Sequence, residues 1–96
     1  MNILESSRSF ILQSWLNSNN RFHKAASLHM RWALAIIEKH EGRLHKDDLM
    51  FLKRYVTCSI LWNTKHRKEF RSIAYTFPFP FDSSDIRVWD IVHGRI

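Results

Sequence analysis

Six histidines, one cysteine and nine aspartates and glutamates are the side chains of this 96-residue chain that could do chemistry, and their spacing assembles little of it. A helical zinc site needs two ligands four apart on one face, or a Cys-x-x-Cys companion. His23 and His29 are six apart, and His40 and His45 straddle Gly42. A metal would have to be gathered across elements, so no metal and no cofactor is expected. Cys58 falls inside an expected helix, away from the helix N-terminus or strained turn that would lower its pKa. It reads as a small buried hydrophobe, and a lone cysteine excludes an internal disulfide and suits a reducing cytosol. Asp47 and Asp48 read as a helix cap with no second acid placed to face them. Two glycines cannot build a glycine-rich phosphate loop. The chain reads as a binder, not an enzyme.

The binding signals lie late in the chain. Phe77, Pro78, Phe79, Pro80 and Phe81 form a tract that contains both prolines of the protein. Proline fixes φ, lacks a backbone donor and pushes the preceding residue toward extended geometry, so the tract is expected to be extended and outside any central strand. Successive side chains then turn to different sides, and the three rings are not expected to bury together. Two readings follow. The tract wraps back as a cap over the open end of a helical body, or it is a docking segment whose rings fill pockets on another protein. The docking reading is taken forward, with Trp89 as a further anchor. Aromatic–proline bonds are also favourable sites for a prolyl isomerase to act on or bind.

Just before the tract stand Lys65, Arg67, Lys68 and Arg71 with a single aromatic, Phe70. These cations are a solvated helix end, or they meet an acidic protein groove or phosphates, with Phe70 as anchor. Fifteen Lys and Arg against nine Asp and Glu give a net charge of +6, which attracts anionic surfaces without choosing among them. Nucleic acid is the second choice, because neither a helix-turn-helix with its glycine turn nor an RNA-binding aromatic motif is present. No run approaches the roughly 20 apolar residues of a membrane span, and no basic start followed by an apolar run opens the chain. A cytoplasmic protein without a membrane partner is expected.

The elements that must position these residues are helical. Up to residue 75 the chain contains no strong breaker but Gly42. Residues 3–17 predict a first helix with Leu4, Ile11, Leu12, Trp15 and Leu16 on one side, followed by a turn in which Asn19 or Asn20 caps the next. Residues 21–40 predict a second, central helix with a stripe of Phe22, Ala26, His29, Ala33, Ile36, Ile37 and His40, stopped at Gly42. A third starts at Asp47 or Asp48 and runs through Phe70 to Ile73, projecting past its neighbours. Asp82, Ser83, Ser84, Asp85 and Ile86 look like the start of a short helix with Ile86, Trp89 and Val92 or His93 on one face, stopped at Gly94. The competing strand pattern over residues 87–92 is set aside because the cap and stop signals agree.

The expected fold is therefore all-α: a three-helix domain over residues 1–75 with a long third helix, then an extended Phe/Pro segment and a short C-terminal helix over residues 76–96. Its core is expected to hold Leu12, Trp15, Leu16, Ala26, His29, Ala33, Ile36, Leu52, Val56 and Trp62. In length, single cysteine, basic helical body and the run from Phe77 to Phe81 followed by Arg87, Val88, Trp89 and Asp90, the chain resembles the anti-RecBCD accessory proteins of lambdoid phages. That resemblance implies binding to the host RecBCD helicase–nuclease in the host cytoplasm, altering its action on DNA ends. A second resemblance, to small regulators of the PerC and AraC-negative-regulator type, rests on Phe22, His23, Lys24, Ala25 and Ala26 with Trp32, and on residues 53–58. It implies transcription modulation through nucleic acid.

Overall fold

The computed structural model describes residues 5–92, and among them the regular structure is helical throughout, with no strand. Five α-helices follow one another: α1 Glu5–Asn19, α2 His23–Lys39, α3 Lys46–Asn63, α4 Arg67–Ala74 and α5 Ser84–Val92. Single 3-10 turns at Glu41–Arg43 and Phe81–Ser83 join α2 to α3 and lead into α5.

The central helix forms, but its buried face only partly follows the predicted stripe: Phe22 precedes the helix and is exposed, His40 follows it, and Met30 joins the buried face. Ala26, Met30, Ala33 and Ile37 are fully buried at spacings of four, three and four, which is one face of an α-helix. That face meets α1 through small residues: Ser7 and Ser14 are buried, and the Ser14 hydroxyl donates to the Ala26 carbonyl at 2.9 Å. The short side chains let the two helices approach closely, so α1 turns its serine stripe inward around Ile11. Leu12 and Leu16, expected in the core, lie about 100° or more around the helix and are exposed. Trp62 is also exposed, while Trp15, His29 and Ile36 are half-buried and Ala26, Ala33, Leu52 and Val56 are buried as expected.

The third helix is not long. It ends at Asn63, Thr64 caps it, and Lys65 takes a left-handed φ of 63° before α4 begins at Arg67. The Thr64 hydroxyl and the Asn63 amide donate to the Ile60 and Ser59 carbonyls, at 2.8 and 2.9 Å. These two polar residues thus compete with continued helix. A straight helix would have held Phe70 and Ile73 out in water; the break folds both back onto the core.

The α1–α2 corner has the same form. Arg21 has φ of 66°, and α1 runs through Asn19. The expected caps also change. Asn20 donates to the Leu16 carbonyl and so closes α1 instead of opening α2, and the residue before α2 is Phe22, which makes no side-chain cap. The α3 cap is His45, whose Nδ1 accepts from the Asp47 amide at 3.2 Å, while Asp47 and Asp48 sit in the first turn. Helix α2 ends at Lys39 with His40 as its cap, so Gly42 lies in the following 3-10 turn. Helix α5 is a helix as expected, but it buries Ser84, Val88, Ile91 and Val92 and leaves Ile86 outside. His93 and Gly94 lie outside the described residues.

Candidate functional site

The chain leaves α4 through tight turns, with the Thr76 and Phe77 amides donating to the Ile73 and Ala74 carbonyls at 2.9 and 3.2 Å. It then bends back across the bundle. Phe77 is 9% exposed and stands edge-on to Phe51 at 5.3 Å. Phe79 tilts over the same ring at 6.1 Å, and Phe81 stacks on Tyr55 at 5.0 Å with an angle of 18°. All three rings face the core, against the expectation that they would spread to different sides. Bends at residues 77–79 turn the segment back over Phe51 and Tyr55, so the three rings go in together while Pro78 and Pro80 stay exposed. Both prolines follow trans bonds. The segment is also bent, not extended: the Ser83 amide donates to the Pro80 carbonyl at 3.0 Å and starts the turn into α5.

Beneath Phe81 a cavity of about 310 Å3 opens among the ends of α1 and α3, α4 and the start of α5. Trp15, Tyr55, Trp62, Phe70 and Phe81 supply rings to its wall and Asp85 supplies a carboxyl. Tyr55 is its hub. The hydroxyl accepts from Trp15 Nε1 at 2.8 Å and donates to Asp85. Three helices are thereby tied at one oxygen. Burial pushes the Asp85 pKa up to about 6, because the charged form loses solvation. The signal for this hub was a tyrosine in an apolar stripe: a buried hydroxyl must find partners.

The basic segment is split by the α3–α4 break. Lys65 sits in the left-handed corner. Arg67 lies over the Trp62 ring, 3.7 Å from its centroid, and also donates to the Trp62 carbonyl at 3.3 Å. Lys68 and Arg71 are exposed on α4. Phe70 faces inward between Trp62 and Phe81, at 5.0 and 5.3 Å. Trp89 is apart from this group. It is half-buried against α1, 6.1 Å from Trp15 and 6.0 Å from the Arg8 guanidinium. So Phe70, Phe77, Phe79 and Phe81 come together as a ring cluster, whereas the cations and Trp89 lie around it.

Two large apolar side chains that flank the tract are exposed. Tyr75 is 84% and Ile86 73% exposed, at the two ends of the segment that carries Pro78 and Pro80. Cys58 behaves as a packed hydrophobe: its thiol donates weakly to the Phe70 carbonyl, and burial pushes its pKa up to about 12. Among the described residues no three His, Cys, Asp or Glu side chains cluster as a metal site, and no helix is long and apolar enough to cross a membrane. No family model, curated protein or solved structure matches the chain.

Proposed function

We propose that this chain is a small basic protein-binding module that modifies a host enzyme and performs no chemistry of its own. Its docking edge is the outer side of residues 75–86. The observation that carries this reading is the division of the tract, with the Phe77, Phe79 and Phe81 rings turned to the core and Tyr75, Pro78, Pro80 and Ile86 outward. An apolar edge pinned from behind loses little conformational entropy on binding, and aromatic anchors dominate interface energies. Exposed Lys68 and Arg71 on the neighbouring helix would steer the edge toward an acidic partner face. The phenylalanines therefore act by holding the segment, and the contact passes to the residues between and beside them.

The resemblance to anti-RecBCD accessory proteins makes the RecBCD helicase–nuclease the partner to test. The exposed prolines on the same edge also offer a prolyl isomerase two X–Pro bonds. Purified RecBCD immobilised on a sensor should bind the chain. The triple change Tyr75→Ser, Pro78→Ser and Ile86→Ser should weaken that binding at least about tenfold with the helical CD signal retained. Equal binding by this variant would remove the edge from the interface, and no binding by the unaltered chain would remove RecBCD as the partner.

A further inference from the structure

The two helix corners point to a second surface, which goes beyond the docking proposal and does not depend on it. Each corner closes with the same pair of bonds. At the first, the Arg21 amide donates to the Ser18 carbonyl and the Phe22 amide to Asn17, at 3.1 and 2.7 Å. At the second, the Lys65 amide donates to Trp62 and the His66 amide to Leu61, at 3.2 and 3.0 Å. This is the helix-ending turn that calls for a left-handed residue, and glycine is its usual occupant. Here the two positions hold Arg21 and Lys65, at φ of 66° and 63°. A left-handed backbone costs an L-residue roughly 1–2 kcal/mol. Both strained positions carry a cation.

The corners also adjoin. His23 Nδ1 donates to Asn63 Oδ1 at 2.8 Å, joining the first residue of α2 to the last of α3. A cavity of about 810 Å3 opens there, walled by Arg21, Phe22, Lys24, Asn63, Thr64 and Lys65 among others, with no carboxylate among the described residues that line it. None of the ion pairs among the described residues uses Arg21, Lys24 or Lys65. The start of α2 lies at the same place without a side-chain cap, adding the partial positive charge of its first-turn amides. Phe22 stands 63% exposed among these cations.

We infer that the paired corners form a binding site for single-stranded nucleic acid, with backbone phosphate held by Arg21, Lys24 and Lys65 and a base stacked on Phe22. Cations supply the phosphate contacts and an exposed ring supplies a platform for any base. The volume lies within the range of ligand pockets and admits a nucleotide. A duplex, whose bases are already stacked, would have no use for the ring.

The test is fluorescence anisotropy with a labelled oligothymidylate of about 10 nucleotides, within the site size of single-strand binders. The full chain should bind saturably at low salt, with log K falling against log salt at a slope near −2, as about three neutralised phosphates require. The double variant Arg21→Gly and Lys65→Gly relieves the backbone, so its fold is retained; its slope should flatten by about 1.4, leaving only the Lys24 contribution, and its affinity should collapse. Phe22→Ser should weaken binding at least about fivefold. Lys39→Gln, at the far end of α2, should stay within about twofold of the parent. Absence of binding at low salt, parental binding by the double glycine variant, equal loss in Lys39→Gln, or duplex binding insensitive to Phe22→Ser would each overturn the proposal.

Discussion

Arg21 and Lys65 occupy the same place in two copies of one turn, each the left-handed residue that ends a helix and redirects the chain within one residue of the next. The pair explains why a chain with two glycines can still make two tight helix corners. It also sets stability against charge, because glycine would relieve the strain and remove the cation.

Arg21→Gly and Lys65→Gly are accordingly predicted to stabilise the fold. Relief of the left-handed backbone is offset in part by the added flexibility of glycine, leaving about 0.5–1 kcal/mol in favour of each variant. Urea unfolding followed by CD measures this directly. A loss of stability in both variants would mean that the Arg21 and Lys65 side chains hold the corners together.

Tyr55 is predicted to matter through its oxygen. Tyr55→Phe keeps the ring on Phe81 but strips the acceptor from Trp15 and the donor from Asp85. Leaving such groups unpaired costs about 1–3 kcal/mol, read as a shift of the urea midpoint. An unchanged midpoint would show that the three-helix tie contributes nothing.

Asp85 should give the fold a pH dependence of defined sign. Its pKa rises from 3.8 unfolded to about 6 folded, so the folded state holds the proton more tightly. The associated stability is fully present below 3.8 and is lost as pH rises through about 6. Asp85→Asn removes the titration and still accepts from Tyr55. The variant should gain on the parent as pH rises across this window and keep a constant lead above it. A constant difference at all pH values would contradict the assignment.

Much of the architecture is legible in the sequence. The Ala26, Ala33 and Ile37 stripe of α2 and the start of α5 follow from period and capping alone. Helix α1 misled because small Ser7 and Ser14, not its larger leucines, form the buried stripe, and close helix approach is invisible to a hydrophobicity count. The α3–α4 break was missed because Lys65, not glycine, takes the left-handed turn. The inward set of Phe77, Phe79 and Phe81 depends on bends that return the segment to Phe51 and Tyr55, contacts far away in sequence. The hub of Trp15, Tyr55 and Asp85 joins residues 40 and 30 positions apart, which no local pattern reveals.

The tract's inward rings make a sharp stability prediction. Phe77→Ala should cost about 3–5 kcal/mol, since a buried aromatic leaves a cavity, whereas Pro78→Ser should change the unfolding midpoint little. Replacing Phe77, Phe79 and Phe81 together by Ser should reduce the helical CD signal, because all three rings pack on the core. A triple variant of parental stability would return the rings to the outside.

The most direct test of the docking proposal is amide hydrogen exchange of the chain, free and bound to RecBCD. The account predicts added protection at Tyr75, Thr76, Phe77 and Phe79 and in the first turn of α5, with little change along the outer face of α2. Protection confined to α2, or none at residues 75–86 in a saturated complex, would contradict it.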